Sequence, residues 1–502
     1  MKTLTVTLAL ALIVGASTLS MGGVSMKADN VVQLRVKNDP TISFRIWFKV
    51  GSQNDPQGKE GLSEITAAML TDASTLRNSY EQIIDSLYPL AAGYDATTSA
   101  EMTVVYGRVH KDNLKEYYPL FIDAITAPAF KQSDLDRIKS QVLSNLENTL
   151  RYSSDEELGK AVLYNSIFDG TAYGHITSGT VTSVRSITID DIRSFYRKYF
   201  TKDNLVIGLG GGYDTTLVAS LRSGLAALPA GKPAALAPPR PASVKGFNVT
   251  IVEKDAPATA ISMGFPIDLL RGSKDWYALA IANSWLGEHR NSSSHLYQVI
   301  REKRGLNYGD YSYIENFPRG GMRNVPPQNV SRRKQIFEIW IRPVPLEAGH
   351  FALRAALREF KAVVEKGMTK DEFTLTRNFL RKYVLHYAPT TMERLGYAID
   401  DRFYGLQGSH LAMFRSMVGT LTRADVNKAI RTYWQFGNMQ IAVITKDAKG
   451  LREALVNDSP SPITYKTPKP EAIMEEDREI AVFPVKVRPE NVRIVPVTEV
   501  FR

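Results

Sequence analysis

Histidine is the residue type in this sequence best suited to hold a metal ion, because the chain contains no cysteine. A helix that binds zinc through two imidazoles carries them three or four residues apart, so that both side chains leave the same face. No two of the seven histidines have that spacing; they stand at positions 110, 175, 289, 295, 350, 386 and 410. A zinc site on one helix is therefore not predicted, and a site assembled from distant histidines stays open.

Other kinds of reactive centre are also poorly supported by the residues alone. Without cysteine there is no disulfide, no thiolate metal site and no cysteine nucleophile. The serine run at 292–294 lacks the pattern of a nucleophile elbow, and no base can be identified for it. No catalytic centre is therefore predicted from residue spacing alone.

Composition and charge limit the class of protein. The chain has 502 residues, of which 44% are hydrophobic and 23% are charged. Such a composition is typical of globular proteins, and the length leaves room for about two to four domains. The net charge is +10, but basic and acidic residues are interleaved, and the densest basic clusters, at 301–304 and 332–334, are short. A nucleic-acid partner is therefore not predicted.

The amino end has the features of an export signal. Lys2 precedes the apolar run LTVTLALALIVGA, from Leu4 to Ala16, which ends in small residues. We predict a signal peptide at 1–16, with an alternative end at about residue 28. The run is too short to span a bilayer, and no later stretch approaches about 18 apolar residues. We therefore expect a soluble protein of the periplasm without stable membrane insertion; an uncleaved amino-terminal anchor is the alternative.

A repeat divides the rest of the chain. Residues 188–207 (TIDDIRSFYRKYFTKDNLVI) and 422–441 (TRADVNKAIRTYWQFGNMQI) align without gaps. Each segment has the pattern of a capped helix followed by a turn and a strand. A further helical segment lies upstream of each copy, beginning at Phe130 and at Met368. The same order of elements therefore occurs twice.

Strand patterns extend the repeat to most of the chain. Runs that are typical of paired strands occur at 31–51 and at 248–266, at the start of each copy. The chain is thus predicted to contain two copies of one α+β unit, at 31–227 and 247–458. The stretch between them, 228–246, carries five prolines and is predicted to be a stiff, extended linker.

An extended tail, 459–502, follows the second unit. It contains two segments with alternating apolar residues, IAVFPVKV at 480–487 and VRIVPVTEVF at 492–501. Their alternation predicts edge strands that dock on the second unit.

Several motifs in a fixed order carry a resemblance to a known family. The first half resembles the M16 (insulinase-like, pitrilysin-type) metallopeptidases in four segments: VGSQNDPQGKEGL, AAGYDATTSAEMTVV, HITSGT and ITIDDIRSFYRKYF. The second half resembles the same family in three segments: DAPATAISMGFP, DWYALAIANSWLGE and SSSHLYQVIREKRGLNYGDYSY. The resemblance covers roughly residues 31–455. It implies two α+β units, each a largely antiparallel sheet covered by helices, related by pseudo-twofold symmetry.

The zinc motif of that family is degenerate in this chain. The family carries H-x-x-E-H on a helix, where two imidazoles bind zinc and the glutamate serves as general base. The matching positions here are Glu64, Ala67 and Ala68, and the family's third ligand falls on Asn145, with Glu147 as a shifted alternative. The resemblance therefore implies that this chain binds no cofactor and lacks the general base.

The second half keeps a pair that the resemblance associates with substrate. The segment SSSHLYQVIREKRG predicts a helix that ends at Gly305, and it is followed by a strand that we expect to begin at Tyr308. Arg301 and Tyr308 match an R-x₆-Y pair that projects toward the zinc site in active M16 enzymes. A guanidinium can hold a carbonyl or carboxylate, and a phenol can donate to an oxyanion. The alternative is a surface arginine paired with Glu302 or Asp310 and a tyrosine packed in the sheet.

These observations together predict a noncatalytic subunit. The resemblance implies a heterodimer in which a homologous M16 subunit bears zinc, while Arg301 and Tyr308 of this chain complete that subunit's site for peptide hydrolysis. Two alternatives stay open. One is a peptide-binding or scaffold protein with an M16 fold, and the other is an enzyme with unrelated chemistry.

Overall fold

The computed structural model describes residues 25–26 and 30–502. The predicted signal peptide at 1–16 lies outside the described residues. Across the described ranges, no helix is both long enough and apolar enough to cross a membrane.

The first unit is a six-stranded sheet with helices. Its strands are β1 (Ser25–Met26), β2 (Val31–Arg35), β3 (Thr41–Phe48), β4 (Gly93–Thr98), β5 (Thr103–His110) and β6 (Leu205–Gly211). Its helices are α1 (Leu62–Thr71), α2 (Tyr80–Leu87), α3 (Leu114–Thr126), α4 (Gln132–Ser144), α5 (Asp155–Phe168), α6 (Val181–Ser186), α7 (Ile189–Tyr199) and α8 (Thr216–Leu225). The strand order is β1-β2-β6-β3-β5-β4, with β2 and β6 parallel and the other neighbours antiparallel.

The second unit repeats this plan. Its strands are β7 (Phe247–Glu253), β8 (Ala258–Ile267), β9 (Asp310–Tyr313), β10 (Gln335–Pro345), β11 (Met439–Thr445) and β12 (Val492–Pro496). Its helices are α9 (Lys274–Gly287), α10 (Gly349–Lys366), α11 (Lys370–Tyr383), α12 (Thr391–Phe403), α13 (His410–Thr420), α14 (Arg423–Tyr433), α15 (Ala448–Asn457) and α16 (Glu471–Ala481). The strand order is β12-β7-β11-β8-β10-β9. β7 pairs in parallel with β11 and β12, and the other neighbours are antiparallel.

The predicted fold class, two α+β units with largely antiparallel sheets, is confirmed. The repeat has a local physical cause, because α7 and α14 both begin with a capping box in which a threonine accepts from the backbone N–H of an aspartate three residues on. The strands after them take equivalent places, since Ile207 lies opposite Ile46 of β3 and Ile441 lies opposite Met263 of β8.

The carboxyl-terminal tail only partly follows its prediction. The edge strand in the second segment is confirmed, because β12 pairs in parallel with β7. The strand predicted at 480–487 is wrong: its first residues end α16, and Pro484 lacks the N–H that a ladder needs. The alternation there reflects side-chain burial without strand pairing, since Val485 and Val487 are at most 1% exposed.

The two units exchange one helix each. α5 of the first unit packs against β8, β10 and β11 of the second. Leu158 and Leu163 of this helix share an apolar cluster with Ala260, Ile336 and Ile444 of the second sheet. One face of the second sheet is therefore covered by a helix that the first unit supplies.

The second unit makes the reciprocal contact. α12 packs against β2, β3 and β6 of the first sheet. Leu395 and Ile399 on α12 join Val32, Leu34 and Trp47 in an apolar cluster. Because α5 and α12 hold corresponding places in the repeat, each unit completes the other, as a twofold relation between the units requires.

Candidate functional site

The helix at the degenerate zinc motif, α1, begins at a tightly constrained turn. Asp55 caps it by accepting hydrogen bonds from the backbone N–H groups of Gly61, at 2.8 Å, and Ser63, at 2.7 Å. Gly61 has a φ of +97°, and a β-carbon there would lie 2.8 Å from the carbonyl oxygen of Ser178. Glycine is therefore required at the start of α1, and the motif's GL pair fixes where the helix begins.

At the two positions of α1 where the family has imidazoles, this chain has one carboxylate and one methyl group. Glu64 is half-buried, and the Ser178 hydroxyl donates to its two carboxylate oxygens at 3.1 and 3.2 Å. Ala67 is 2% exposed, and Ala68 is half-buried one turn beyond Glu64. Neither alanine offers a ligand or a proton acceptor, so the face of α1 has a single polar group that already has a partner.

The position of the third ligand lies at the end of α4, which packs against α1. Here the helix changes to a π-helical segment, Asn145–Ser153. The Asn145 side chain is exposed. Glu147, the shifted alternative, pairs with Arg185 at 2.8 Å. The predicted third-ligand position thus carries an amide where a carboxylate ligand would be needed.

No group of three or more metal-ligating side chains occurs within residues 25–26 and 30–502. Three of the histidines have separate partners instead. His289 Nδ1 bonds with the hydroxyl of Tyr313 at 2.8 Å, and His295 Nε2 pairs with Glu359 at 2.6 Å. His410 Nδ1 lies 3.2 Å from the hydroxyl of Tyr277. Burial lowers the pKa of His289 to about 4, so this imidazole is neutral at physiological pH.

Arg301 lies on a second π-helical turn, Tyr297–Glu302. Its guanidinium stacks over the ring of Tyr297, with 5.1 Å between the Cζ atom and the ring centroid, and pairs with the neighbouring Glu302. The buried face of this segment is as predicted, because Leu296, Val299 and Ile300 are at most 2% exposed. π-Helical turns are rare and are often found at functional sites.

Tyr308 lies between that helical turn and the edge strand. β9 begins at Asp310, so the prediction that Tyr308 opens the strand is wrong by two residues, and the preceding turn is set by Gly305 at a φ of +72°. The Tyr308 side chain is 78% exposed, and its hydroxyl has no hydrogen-bond partner among the described residues. Of the alternative to the functional prediction, the ion pair between Arg301 and Glu302 is present, whereas the packing of Tyr308 in the sheet is not.

An edge strand beside α1 is a feature that residue chemistry did not reveal. β4 is the outermost strand of the first sheet, and its free side is adjacent to no other strand among the described residues. It packs against α1, so its backbone groups lie next to the degenerate motif. The signal in the sequence is the alternation in YDATT, which predicts a strand but cannot say that it lies at an edge.

Comparisons with known proteins agree on one family. Residues 30–180 match the sequence model described as Insulinase (Peptidase family M16), and residues 186–380 match the one described as Peptidase M16 inactive domain. An uncharacterized zinc protease of Streptomyces coelicolor is 26% identical over 70% of this chain and 72% of its own length. A protein of Helicobacter pylori named as a non-peptidase homolog is 22% identical over 82% of this chain and 90% of its own.

A solved structure supports the same fold. The peptidase M16 inactive domain of Pseudomonas fluorescens superposes with a TM-score of 0.72 at 23% identity, covering 83% of this chain and 95% of that one. The two family models follow one another along the chain and together match most of it, while the H-x-x-E-H positions hold Glu64, Ala67 and Ala68. The chain therefore belongs to peptidase family M16, as a noncatalytic member.

Proposed function

We propose that this chain is the noncatalytic subunit of a heterodimeric M16 zinc metallopeptidase of the periplasm. In this proposal a homologous, zinc-bearing M16 subunit is the partner, and peptides are the substrates. Arg301 and Tyr308 are the groups that this chain contributes to the partner's site. The predicted export signal supports the periplasmic location, and the degenerate motif supports the need for a zinc-bearing partner.

The exposure of Tyr308 is the observation that carries the proposal. A tyrosine that adds to stability buries its ring and finds a partner for its hydroxyl. Tyr308 does neither, since it is 78% exposed and has no hydrogen-bond partner in the described part of the chain. Its free hydroxyl is available to donate to a group on another molecule.

The contacts of Arg301 allow its guanidinium to exchange one ion-pair partner for another. The ion pair with Glu302 joins two side chains that are 36% and 40% exposed, and such surface pairs contribute at most about 1 kcal/mol. Stacking on Tyr297 fixes the direction of the side chain without using its N–H donors. A substrate carbonyl or carboxylate can therefore replace Glu302 at small free-energy cost.

The two residues suit the hydrolysis of a peptide bond. The partner's zinc would polarise the attacking water. Arg301 would hold a carbonyl or carboxylate of the peptide, which affects binding in the ground state. Tyr308 would donate to the oxyanion as it forms, so its contribution appears chiefly in the transition state.

Kinetics of the assembled complex test the proposal. The partner is first obtained by co-purification with the native chain, and peptide hydrolysis is then measured for complexes that carry Arg301→Ala or Tyr308→Phe. We expect kcat to fall by roughly 10²–10³ for Tyr308→Phe. Arg301→Ala should also raise KM, because it removes a contact to bound substrate.

Matched variants separate these roles from general surface effects. Tyr88→Phe alters another tyrosine that is 85% exposed, and Arg478→Ala removes an arginine in a similar surface pair, with Glu471 at 2.7 Å. Both controls should leave the kinetics unchanged, and gel filtration should show that every variant still assembles. Unchanged kinetics for both Arg301→Ala and Tyr308→Phe would reject the role in trans.

A peptide-binding or scaffold protein is the second candidate, and the open edge of β4 favours it. An extended peptide can add to such an edge through backbone hydrogen bonds, without any catalysis. In that case peptides would bind the isolated chain, and the purified complex would show no hydrolysis that depends on Arg301 or Tyr308.

A further inference from the structure

The two units differ in the connection that follows their outer strands. β4 and β5 are joined by the short turn 99–102, whereas the β9–β10 loop takes up residues 314–334. The longer loop reaches the first unit, because Lys160 Nζ of α5 donates to the carbonyl oxygen of Phe317 at 2.5 Å. It therefore lies where the two units meet and has no counterpart in the first unit.

A single helical turn at the tip of this loop, Gly320–Met322, is firmly anchored. Gly320 packs so closely on Trp340 that a β-carbon would lie 2.6 Å from the indole ring. The backbone N–H of Gly321 donates to Glu157 at 3.3 Å. His289 Nε2 lies 2.8 Å from the carbonyl oxygen of Arg323, just after the turn. These contacts hold the turn from both units.

Three arginine residues lie at this turn. Arg319 and Arg323 flank it, and Arg290 Nη2 donates to the carbonyl oxygen of Gly321 at 2.7 Å. In the described part of the chain, no carboxylate lies within ion-pair distance of any of the three guanidinium groups. The Arg323 Nε atom is buried and has no hydrogen-bond partner there. Burial and the neighbouring Arg319 both lower the pKa of Arg323, as expected for a cation close to another cation.

The backbone at two of these arginines is strained. Arg290 has a φ of +56° and Arg319 a φ of +55°, in the left-handed region that favours glycine. Such strain persists where the surrounding structure imposes it, and it is concentrated at ligand-binding sites. Glycine would relieve the strain at either position, so stability alone does not account for an arginine.

We propose that Arg290, Arg319 and Arg323 form a binding site for an oxyanion, either a carboxylate of an acidic peptide or a free phosphate. Planar guanidinium groups match both chemistries through paired N–H donors. Met322 is 86% exposed between the arginines and offers an apolar contact to the chain that carries the anion. The site lies beyond the carboxyl end of β9, whereas Tyr308 precedes its start.

The nearest acidic side chains have hydrogen-bond or ion-pair partners outside the three arginines, although the charge of Glu157 acts to raise the pKa of Arg323. Glu157 accepts the hydrogen bond from Gly321, and Glu156 pairs with Arg342 at 2.6 Å. Neither forms an ion pair with the three arginines. An incoming anion therefore meets an excess of positive charge on an anchored turn, so little ordering is needed for it to bind.

Binding to the full chain alone tests this site, without the partner and independently of catalysis. The probes are an acetylated, amidated hexapeptide of alternating alanine and glutamate, the same peptide with glutamine, and inorganic phosphate. We expect the glutamate peptide to bind and the glutamine peptide to bind roughly tenfold more weakly or not at all. Binding should weaken as ionic strength rises.

Two glycine variants separate binding from folding. Arg319→Gly should keep or raise Tm, because it relieves backbone strain. Arg290→Gly relieves strain too but removes the hydrogen bond to Gly321, so its Tm serves as the check on folding. Both variants should weaken binding of the glutamate peptide roughly tenfold. Arg431→Ala, which removes an exposed arginine on α14, is the control with the same change in charge.

Binding of phosphate without the peptide would identify a free anion as the ligand. Equal binding of the two peptides without phosphate binding, or equal losses in Arg319→Gly and Arg431→Ala, would overturn the site.

Discussion

Individual residues at the degenerate motif have taken on structural partners. Glu64 replaces a metal-binding imidazole and accepts hydrogen bonds from Ser178, so its carboxylate is satisfied without a cation. Ala68, one turn later, leaves only a methyl group on the same face. The geometry that would hold a metal is nevertheless set by the backbone of α1 and by its contact with α4.

Restoring the ligands should therefore restore metal binding. In the variant Glu64→His, Ala68→His and Asn145→Glu, we expect one zinc per chain, while the unmodified chain should hold no stoichiometric zinc. Ala67 is left unchanged, because it is buried and its family counterpart is not a ligand. Zinc in hundredfold excess over its Kd should raise the free energy of unfolding by about 2.7 kcal/mol. Elemental analysis and thermal unfolding with and without zinc measure both effects.

The matched control for this experiment lacks one imidazole. A chain with only Glu64→His and Asn145→Glu should bind zinc much more weakly, because two protein ligands rarely hold the ion. If the folded triple variant bound no zinc, the alignment of α1 with the family motif would be wrong.

Glu288 is a buried carboxyl group that should make stability depend on pH. It follows the last residue of α9, is 8% exposed and lines a pocket of about 50 Å³. Burial raises the pKa of Glu288 to about 7, although the nearby hydroxyl groups of Ser284 and Tyr387 act to lower it. The native state thus holds this proton over a pH range in which the unfolded chain, with an ordinary pKa near 4.5, has lost it.

The free energy of unfolding should therefore fall as pH rises from about 4.5 to 7, by about 3 kcal/mol from this group. Glu288→Gln keeps the shape and cannot ionise, so its stability should decline less over that range. Burial raises the pKa of Glu338 and of Asp401 to about 7 as well. Both groups titrate equally in the unmodified chain and in Glu288→Gln, so their effect cancels in the comparison. Urea unfolding at several pH values gives the difference, and parallel curves for the two proteins would contradict the assignment.

At the level of elements, the exchanged helices should contribute as much stability as any core helix. Leu163 on α5 and Leu395 on α12 are both 0% exposed, and each packs on the sheet of the other unit. We expect Leu163→Ala and Leu395→Ala each to lower the free energy of unfolding by about 2–5 kcal/mol. Leu375→Ala, at a leucine of α11 that is 69% exposed, should change it by less than about 0.5 kcal/mol. Small effects at both buried positions would mean that the helices pack elsewhere.

The elements themselves were largely predictable from the sequence, and their partners were not. Capped helical patterns and strand patterns indicated α7, β6, α14 and β11, because capping boxes and apolar periodicity are local signals. The apolar stripe of α5 shows only that one face is buried and cannot say which sheet covers it. The β9–β10 loop was missed for a similar reason, since its anchors are Lys160, Trp340 and His289, far away along the chain.

For the candidate site, sequence reasoning located the positions but not their surroundings. The motif spacing placed Glu64 and Ala68 one turn apart on α1, because a helix fixes the direction of its side chains. Asn145, which follows α4, was assigned only through the family resemblance. The exposure of Tyr308 depends on where the turn after Gly305 ends and β9 begins, which is set by pairing with β10. Local patterns rarely determine such boundaries.

In the whole molecule, the exchange of α5 and α12 joins two units that the sequence repeat suggests are separable. Removing α12 would expose Val32, Leu34 and Trp47 on the first sheet. Removing α5 would uncover the corresponding face of the second sheet. Each unit therefore has an apolar surface that it cannot cover with its own helices.

We consequently expect the two units to unfold together. Hydrogen exchange at increasing urea concentration should show β3 and β8, the central strands of the two sheets, losing protection at the same concentration, as in a two-state transition. Leu163→Ala, although it lies in the first unit's segment of the chain, should lower protection of β3 and β8 by the same free energy. The exposed Leu375→Ala variant should shift neither strand. If β8 opened at lower urea than β3 in the Leu163→Ala variant, the units would be thermodynamically independent and the exchanged helix would serve only as a local cover.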